Sequence, residues 1–186
     1  NIFFLVIFLF SNNLLANDQF KFDVTELEIL ENGNIYKGLK GGTAISDDGL
    51  EIKANNFYYD KTLNILNASG DVKITDKVND YIILSKKITY LKNQEKIFTK
   101  GKTIAIIESK YNFESKNVIF LKNEKKLSSS EKSTLKDSDL YLYKFKKFDY
   151  SLSDGMLKAK EVRVVKDFKK SNEEKEYYNF EEGIFN

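Results

Sequence analysis

The chain has 186 residues, with 30 basic against 28 acidic side chains and a formal net charge of +2. Charge that is abundant yet balanced solvates an exterior and offers no single-sign face to nucleic acid. There is no histidine and no cysteine. The commonest general base and the commonest metal ligands are therefore missing, and Ser-His-Asp and Cys-His arrangements and disulfides within the chain are excluded. Carboxylate pairs remain, the nearest being Asp47/Asp48 and Asp137/Asp139, but both lie in polar, turn-like stretches. Gly41-Gly42 is followed by no helix and is not a phosphate loop. The chain reads as a non-enzyme without a cofactor or metal, whose chemistry is binding.

The first element is an apolar run, Ile2–Phe10, followed by Ser11–Asn13 and then Leu14, Leu15 and Ala16. This has the form of a secretory h-region and a c-region ending in a small residue, with cleavage expected after Ala16. A membrane anchor is the alternative reading, and the run is short for one. No initiator Met and no basic n-region precede it, so residues 1–16 read as a signal peptide truncated at its start. Residues 17–186 are then one exported domain.

From Leu27 onward, an apolar-x-apolar triplet recurs: Leu27/Ile29, Phe57/Tyr59, Ile88/Tyr90, Val118/Phe120, Phe148/Tyr150 and Tyr178/Phe180, at steps of 30 or 31 residues. A second column follows at Tyr36, Leu66, Ile97, Leu127 and Leu157. Two positions later a small residue stands every time, at Gly38, Ala68, Thr99, Ser129 and Ala159. Alternation places each triplet on one face of a strand. The polar tetrapeptides between the two columns, such as Glu31–Asn34 and Lys61–Asn64, carry turn residues. Each unit is therefore a hairpin, and a fixed period means stacked copies of one unit.

The second strand of each unit runs past a glycine at Gly70 and Gly101, which predicts a bulge or bend. The same column holds Glu131 and Glu161 in later copies, where a relaxed bend is expected. A further strand leads back to the next triplet, with a column at Ile52, Ile83, Phe113 and Tyr143. Lys166–Glu176 is a charge run and reads as a solvated loop. Lys144–Lys147 reads as an outward strand face rather than a phosphate site. The fold class is all-β.

The clearest copy, Phe57–Asp76, resembles the repeat of the OstA-like domains of the lipopolysaccharide transport (Lpt) machinery. Leu66, Ala68, Gly70, Asp71, Val72 and Asp76 match that family's pattern, and Ile97–Thr103 matches with Thr and Lys-Thr substitutions. Later copies keep only the apolar columns. The resemblance covers about residues 19–165. The opening, Phe20–Asn34, is most similar to the start of the periplasmic domain that precedes an outer-membrane barrel in the LptD family of LPS-assembly proteins. The chain reaches Asn186 inside a new hairpin pattern, so it reads as an N-terminal fragment without that barrel. Family members that tie domain to barrel through cysteines have no counterpart for them here.

The resemblance implies an elongated, twisted β-jelly roll of antiparallel hairpins, a trough that receives lipopolysaccharide from a periplasmic bridge protein and passes it to the barrel. It implies a lipid lining of Leu27, Ile29, Phe57, Tyr59, Leu66, Ile88, Tyr90, Ile97, Val118, Phe120, Leu127, Phe148 and Tyr150. It implies a docking edge at Phe20, Phe22 and Val24 for the bridge protein, and an outer-membrane lipoprotein partner reached through the barrel. From the residues alone, any one of these columns is first of all a core column. The free bridge protein of the same pathway, LptA-like, and a lipid-free structural β-solenoid are the alternatives. Antiparallel turns inside each repeat speak against the solenoid.

Overall fold

The computed structural model describes residues 19–139, 141–166 and 175–185, so the expected signal peptide lies outside the described residues. They form fifteen strands. These are β1 (Phe20–Leu30), β2 (Ile35–Ser46), β3 (Glu51–Ala54), β4 (Asn56–Asp60), β5 (Ile65–Asp76), β6 (Tyr81–Leu91), β7 (Lys96–Ile107) and β8 (Tyr111–Lys116). They continue with β9 (Ile119–Leu121), β10 (Lys126–Ser129), β11 (Ser133–Lys136), β12 (Leu142–Phe145), β13 (Lys147–Ser151), β14 (Leu157–Lys166) and β15 (Glu176–Phe185). Two 3-10 turns, Glu31–Gly33 and Lys92–Gln94, are the helical elements among the described residues. The described residues are all-β, as the alternating pattern predicts, and jelly-roll-like, as the resemblance implies.

The long strands are shared between two sheets. In β2, Ile35–Gly38 pairs with β4, while Gly42–Ile45 pairs with β3. In β5 the change of partner falls at Gly70 and Asp71, with φ of 79° and 48°. In β7 it falls at Gly101 and in β14 at Glu161, with φ of 83° and 51°. All pairings are antiparallel. The halves carrying the sequence triplets form a front sheet and the other halves a back sheet, folded face to face across one crease.

The crease corrects one expectation. Glycine is absent from its later copies, yet the bend is kept there. Glu161 takes a left-handed conformation without glycine, and near Glu131 the strand breaks outright between Ser129 and Ser133. A second correction concerns Lys166–Glu176. Residues 167–174 are outside the description, but Lys166 and Glu176 themselves pair as the ends of β14 and β15, with an ion pair at 3.9 Å.

The period of about 30 residues has a backbone cause. Successive front-sheet turns bond to one another: Lys61 N–H donates to Asn34 O, Lys92 to Asn64, Lys122 to Glu95 and Leu152 to Lys125, at 2.8–3.0 Å. This ladder of turns aligns the copies. Ile29, Tyr36, Tyr59, Leu66, Tyr90, Ile97, Phe120, Leu127, Tyr150, Leu157 and Phe185 stand opposite one another in sequence across the front sheet. The back sheet carries a matching row, from Phe22 through Ala44, Ile52, Ile74, Ile83, Ala105, Phe113, Leu135, Tyr143 and Val164 to Tyr178. Residues directly opposite in an antiparallel pair share a face. Each row is thus one apolar stripe, and the two stripes face each other as the core. Tyr178/Phe180 is the third correction: the sixth triplet pairs with Val164/Val162 in the back sheet and does not extend the front row.

Candidate functional site

The site with functional potential is the seam where the two stripes meet. Aromatic contacts fix how the sheets overlap. Phe20 of β1 meets Tyr59 at 5.0 Å and Tyr90 at 5.7 Å, Tyr81 of β6 meets Phe120 at 4.8 Å, and Phe113 of β8 meets Phe148 at 5.2 Å. Each back-sheet strand therefore covers front-sheet strands that come later in the chain. This stagger leaves the first front-sheet strand and the last back-sheet strand without a lid. Leu27 and Ile29 are 43% and 55% exposed, and Tyr178 and Phe180 are 44% and 43% exposed, although all four lie on inner faces.

Between those ends the lining residues are enclosed. Phe57, Tyr59, Leu66, Ile88, Tyr90, Ile97, Val118, Phe120, Leu127, Phe148 and Tyr150 are all at most 3% exposed. Val118 falls outside the strand ladder but stays in line, because its N–H donates to Thr99 Oγ1 at 2.8 Å and its carbonyl accepts from Thr99 N–H at 2.9 Å. The protein's own side chains fill this part of the seam. Fully burying a side chain of this size contributes about 1.5–3 kcal/mol.

The seam's mouth differs along its length. Towards the N-terminal half an ionic clasp shuts it. Lys92 and Lys122, on two front-sheet turns, reach Asp47 and Asp48 on the back-sheet turn after β2. Lys92 Nζ lies 2.9 Å from Asp47 Oδ1, Lys122 Nζ pairs with Asp48, and Glu95 pairs with both lysines, at 2.9 Å to Lys122. The Tyr90 hydroxyl donates to Glu95 and accepts from Lys122 Nζ at 3.0 Å. Lys92 is only 7% exposed. Burial alone would raise the Asp48 carboxyl, but the Lys122 and Ser46 hydrogen bonds and the two lysine charges outweigh it and hold it at about 2. Burial likewise opposes ionisation of Glu95 and Lys92. The bonds from Lys92, Tyr90 and Lys122 nevertheless lower Glu95, and the bonds to Glu95 and Asp47 raise Lys92. The Asp47/Asp48 pair is thus a structural counter-ion set.

Towards the C-terminal half the mouth opens into a cavity of about 270 Å³. Its walls are inner-row residues of both sheets, Leu135 and Tyr143 behind and Tyr150, Leu157 and Phe185 in front, with Lys110, Asp137 and Asp139 on the rim. Burial, reinforced by Asp137, pushes the Tyr143 phenol up to about 12, and burial also raises Tyr150. Both stay neutral at physiological pH. The inner-row walls are then uncharged, while the tyrosine hydroxyls and the charged rim make the exposed lining more polar than apolar.

The expected docking edge has two aspects. β1 is an edge strand, bonded to β2 alone among the described residues. Its named side chains point inward: Phe20 is buried, and Phe22 and Val24 pack against the core. Any docking there is through backbone. Among the described residues no cluster of three or more acidic groups is placed to hold a metal ion, and no helix is long and apolar enough to cross a membrane. The clasp lysines and the cavity were missed by sequence reasoning. Lys92 and Lys122 open consecutive turn tetrapeptides at the same position, but so does Lys61, so position alone does not single them out. No protein-family model and no curated protein matches the chain.

Proposed function

We propose that this chain is a periplasmic OstA-like domain of lipopolysaccharide transport, in which acyl chains travel along the inner faces of the roll. The observation that carries the reading is the pair of in-register apolar rows that run the length of both sheets and emerge uncovered at opposite ends. A uniform apolar row removes hydrocarbon from water at about 25 cal/mol per Å² and offers no deep trap along its length. Since the middle of the seam is filled, the sheets must part locally as a lipid passes. The C-terminal cavity, with no ion pair across its mouth among the described residues, is where parting meets least resistance.

On this reading the lipopolysaccharide arrives from a periplasmic bridge protein that adds a strand to β1, and it leaves past β15 towards an outer-membrane barrel and its lipoprotein partner. The free bridge protein of the same pathway is the second reading. It is favoured by the uncovered inner stripe at Leu27 and Ile29 of β1, which suits stacking against another domain.

The test is acyl-dependent binding. Lipopolysaccharide titrated into the protein should perturb the inner-row tyrosine fluorescence, and its fully deacylated core should not. Equal responses to both would refute an acyl path.

A further inference from the structure

A groove of about 580 Å³ lies away from the seam, on the outer face where the crease crosses β8, β11, β12 and β14. We infer that it is a binding site for a ligand carrying two phosphate groups.

The groove exists because the sheet parts there. β11 pairs with β8 only through Thr134–Lys136, and the strand is interrupted from Ser129 to Ser133. Hydroxyls replace the missing ladder bonds. Ser115 Oγ and Ser133 Oγ lie 2.7 Å apart, Ser129 Oγ donates to Lys116 O at 2.8 Å, and Ser133 Oγ donates to Glu131 O at 2.7 Å. The opening has a volume of about 580 Å³, with Ser115, Ser133 and Phe145 along its floor.

Its rim is cationic. Lys102, Lys116, Lys132, Lys144, Lys146 and Arg163 face two carboxylates, Glu114 and Glu161, an excess of four positive charges. The carboxylates are already engaged, Glu114 with Lys102 at 2.8 Å and Glu161 with Lys146 at 2.6 Å. Lys116, Lys132 and Lys144 have no ion pair among the described residues. The cations also crowd one another. Lys102 stands directly opposite Lys116, and Lys144 directly opposite Arg163, an arrangement that destabilises a sheet unless an anion sits between the charges. A phosphate monoester carries about −1.5 to −2 at neutral pH, so two such groups match the excess. Lysine ammoniums, as compact point charges, suit phosphate. Like-charge pairs also stand directly opposite at Lys53/Lys73, Lys87/Lys100 and Lys147/Lys160; Lys53/Lys73, which does not line this groove, serves as the control.

The experiment is isothermal titration with inorganic pyrophosphate at low salt, compared with citrate. Two triple variants are tested, Lys116→Gln/Lys132→Gln/Lys144→Gln in the groove and Lys21→Gln/Lys53→Gln/Lys73→Gln outside it. Both change net charge equally at exposed positions, and circular dichroism checks their folding, with Lys144→Gln alone as a milder variant. Pyrophosphate should bind once per chain, weakening at least about tenfold in the groove variants and less than about twofold in the control. Vesicles of phosphatidylcholine with and without phosphatidic acid separate the sources. Retention on the acidic vesicles as well assigns a lipid headgroup, and pyrophosphate binding alone assigns a free phosphorylated ligand. Either supports the site. Equal weakening in both triple variants, equal affinity for citrate, or no binding to either phosphate source would overturn it. Because none of these probes tests passage of an acyl chain, the outcome is independent of the transport reading.

Discussion

A β-carbon on Gly42 would lie 2.3 Å from the Asp23 carbonyl oxygen and 2.5 Å from Val24 Cα. Both are backbone atoms that no rotamer change can move. Gly101, in the crease of β7, has a φ of 83° but no neighbour within 4 Å. Gly101→Ala should therefore cost only the left-handed backbone penalty of about 1–2 kcal/mol, whereas Gly42→Ala should cost about 3 kcal/mol or more. Urea denaturation of the two variants checks the ranking. At the same scale, Ile88→Lys strands an ammonium among residues that are almost fully enclosed. It should unfold the protein rather than leave a folded, blocked conduit, with loss of the cooperative thermal transition as the readout. The identity of the inward residues was legible in the sequence, because alternation and a fixed period both mark them. Their degree of enclosure was not. Leu27 and Phe57 occupy the same column, yet one is 43% and the other 3% exposed. That difference comes from how the sheets overlap, which no single repeat encodes. The bend at Glu161 was hidden for a simpler reason, since a non-glycine residue there takes the conformation that sequence pattern reserves for glycine.

At the scale of elements, the hairpins and most of the turns follow from local turn chemistry, whereas the clasp joins Lys122 to Asp48 across 74 positions and leaves no local pattern. Its titration has a definite sign. Asp48 and Glu95 both have folded-state pKa values below their ordinary ones. Their contribution to stability is full above the ordinary carboxylate value near 4, and for Asp48 it is lost as pH falls through about 2. Lys92, held above its ordinary value, contributes fully below about 10 and loses that contribution only as pH rises beyond it. The thermal midpoint should therefore drop between about pH 5 and pH 2. Glu95→Gln removes the acid shared by two nearly buried lysines and should cost about 2–3 kcal/mol at neutral pH. Its deficit should shrink as acid neutralises the wild-type carboxylate. Melting curves of both proteins across that range provide the check, and parallel pH profiles would contradict the clasp.

At the scale of the whole molecule, the stagger between the sheets matters more than any one residue. It seals the middle of the seam with the protein's own side chains, leaves an inner face bare at each end, and puts a cavity on the side that the clasp does not reach. A lipid on this path would touch the uncovered N-terminal stripe and the cavity wall while missing the outer faces. The most direct measurement places a photo-crosslinkable residue at Ile29, at Tyr143 or at Tyr58, the last of which lies on the outer face and is 42% exposed. With lipopolysaccharide present, the account predicts lipid adducts at positions 29 and 143 and none at 58. Equal labelling at all three, or labelling at 58 alone, would contradict it.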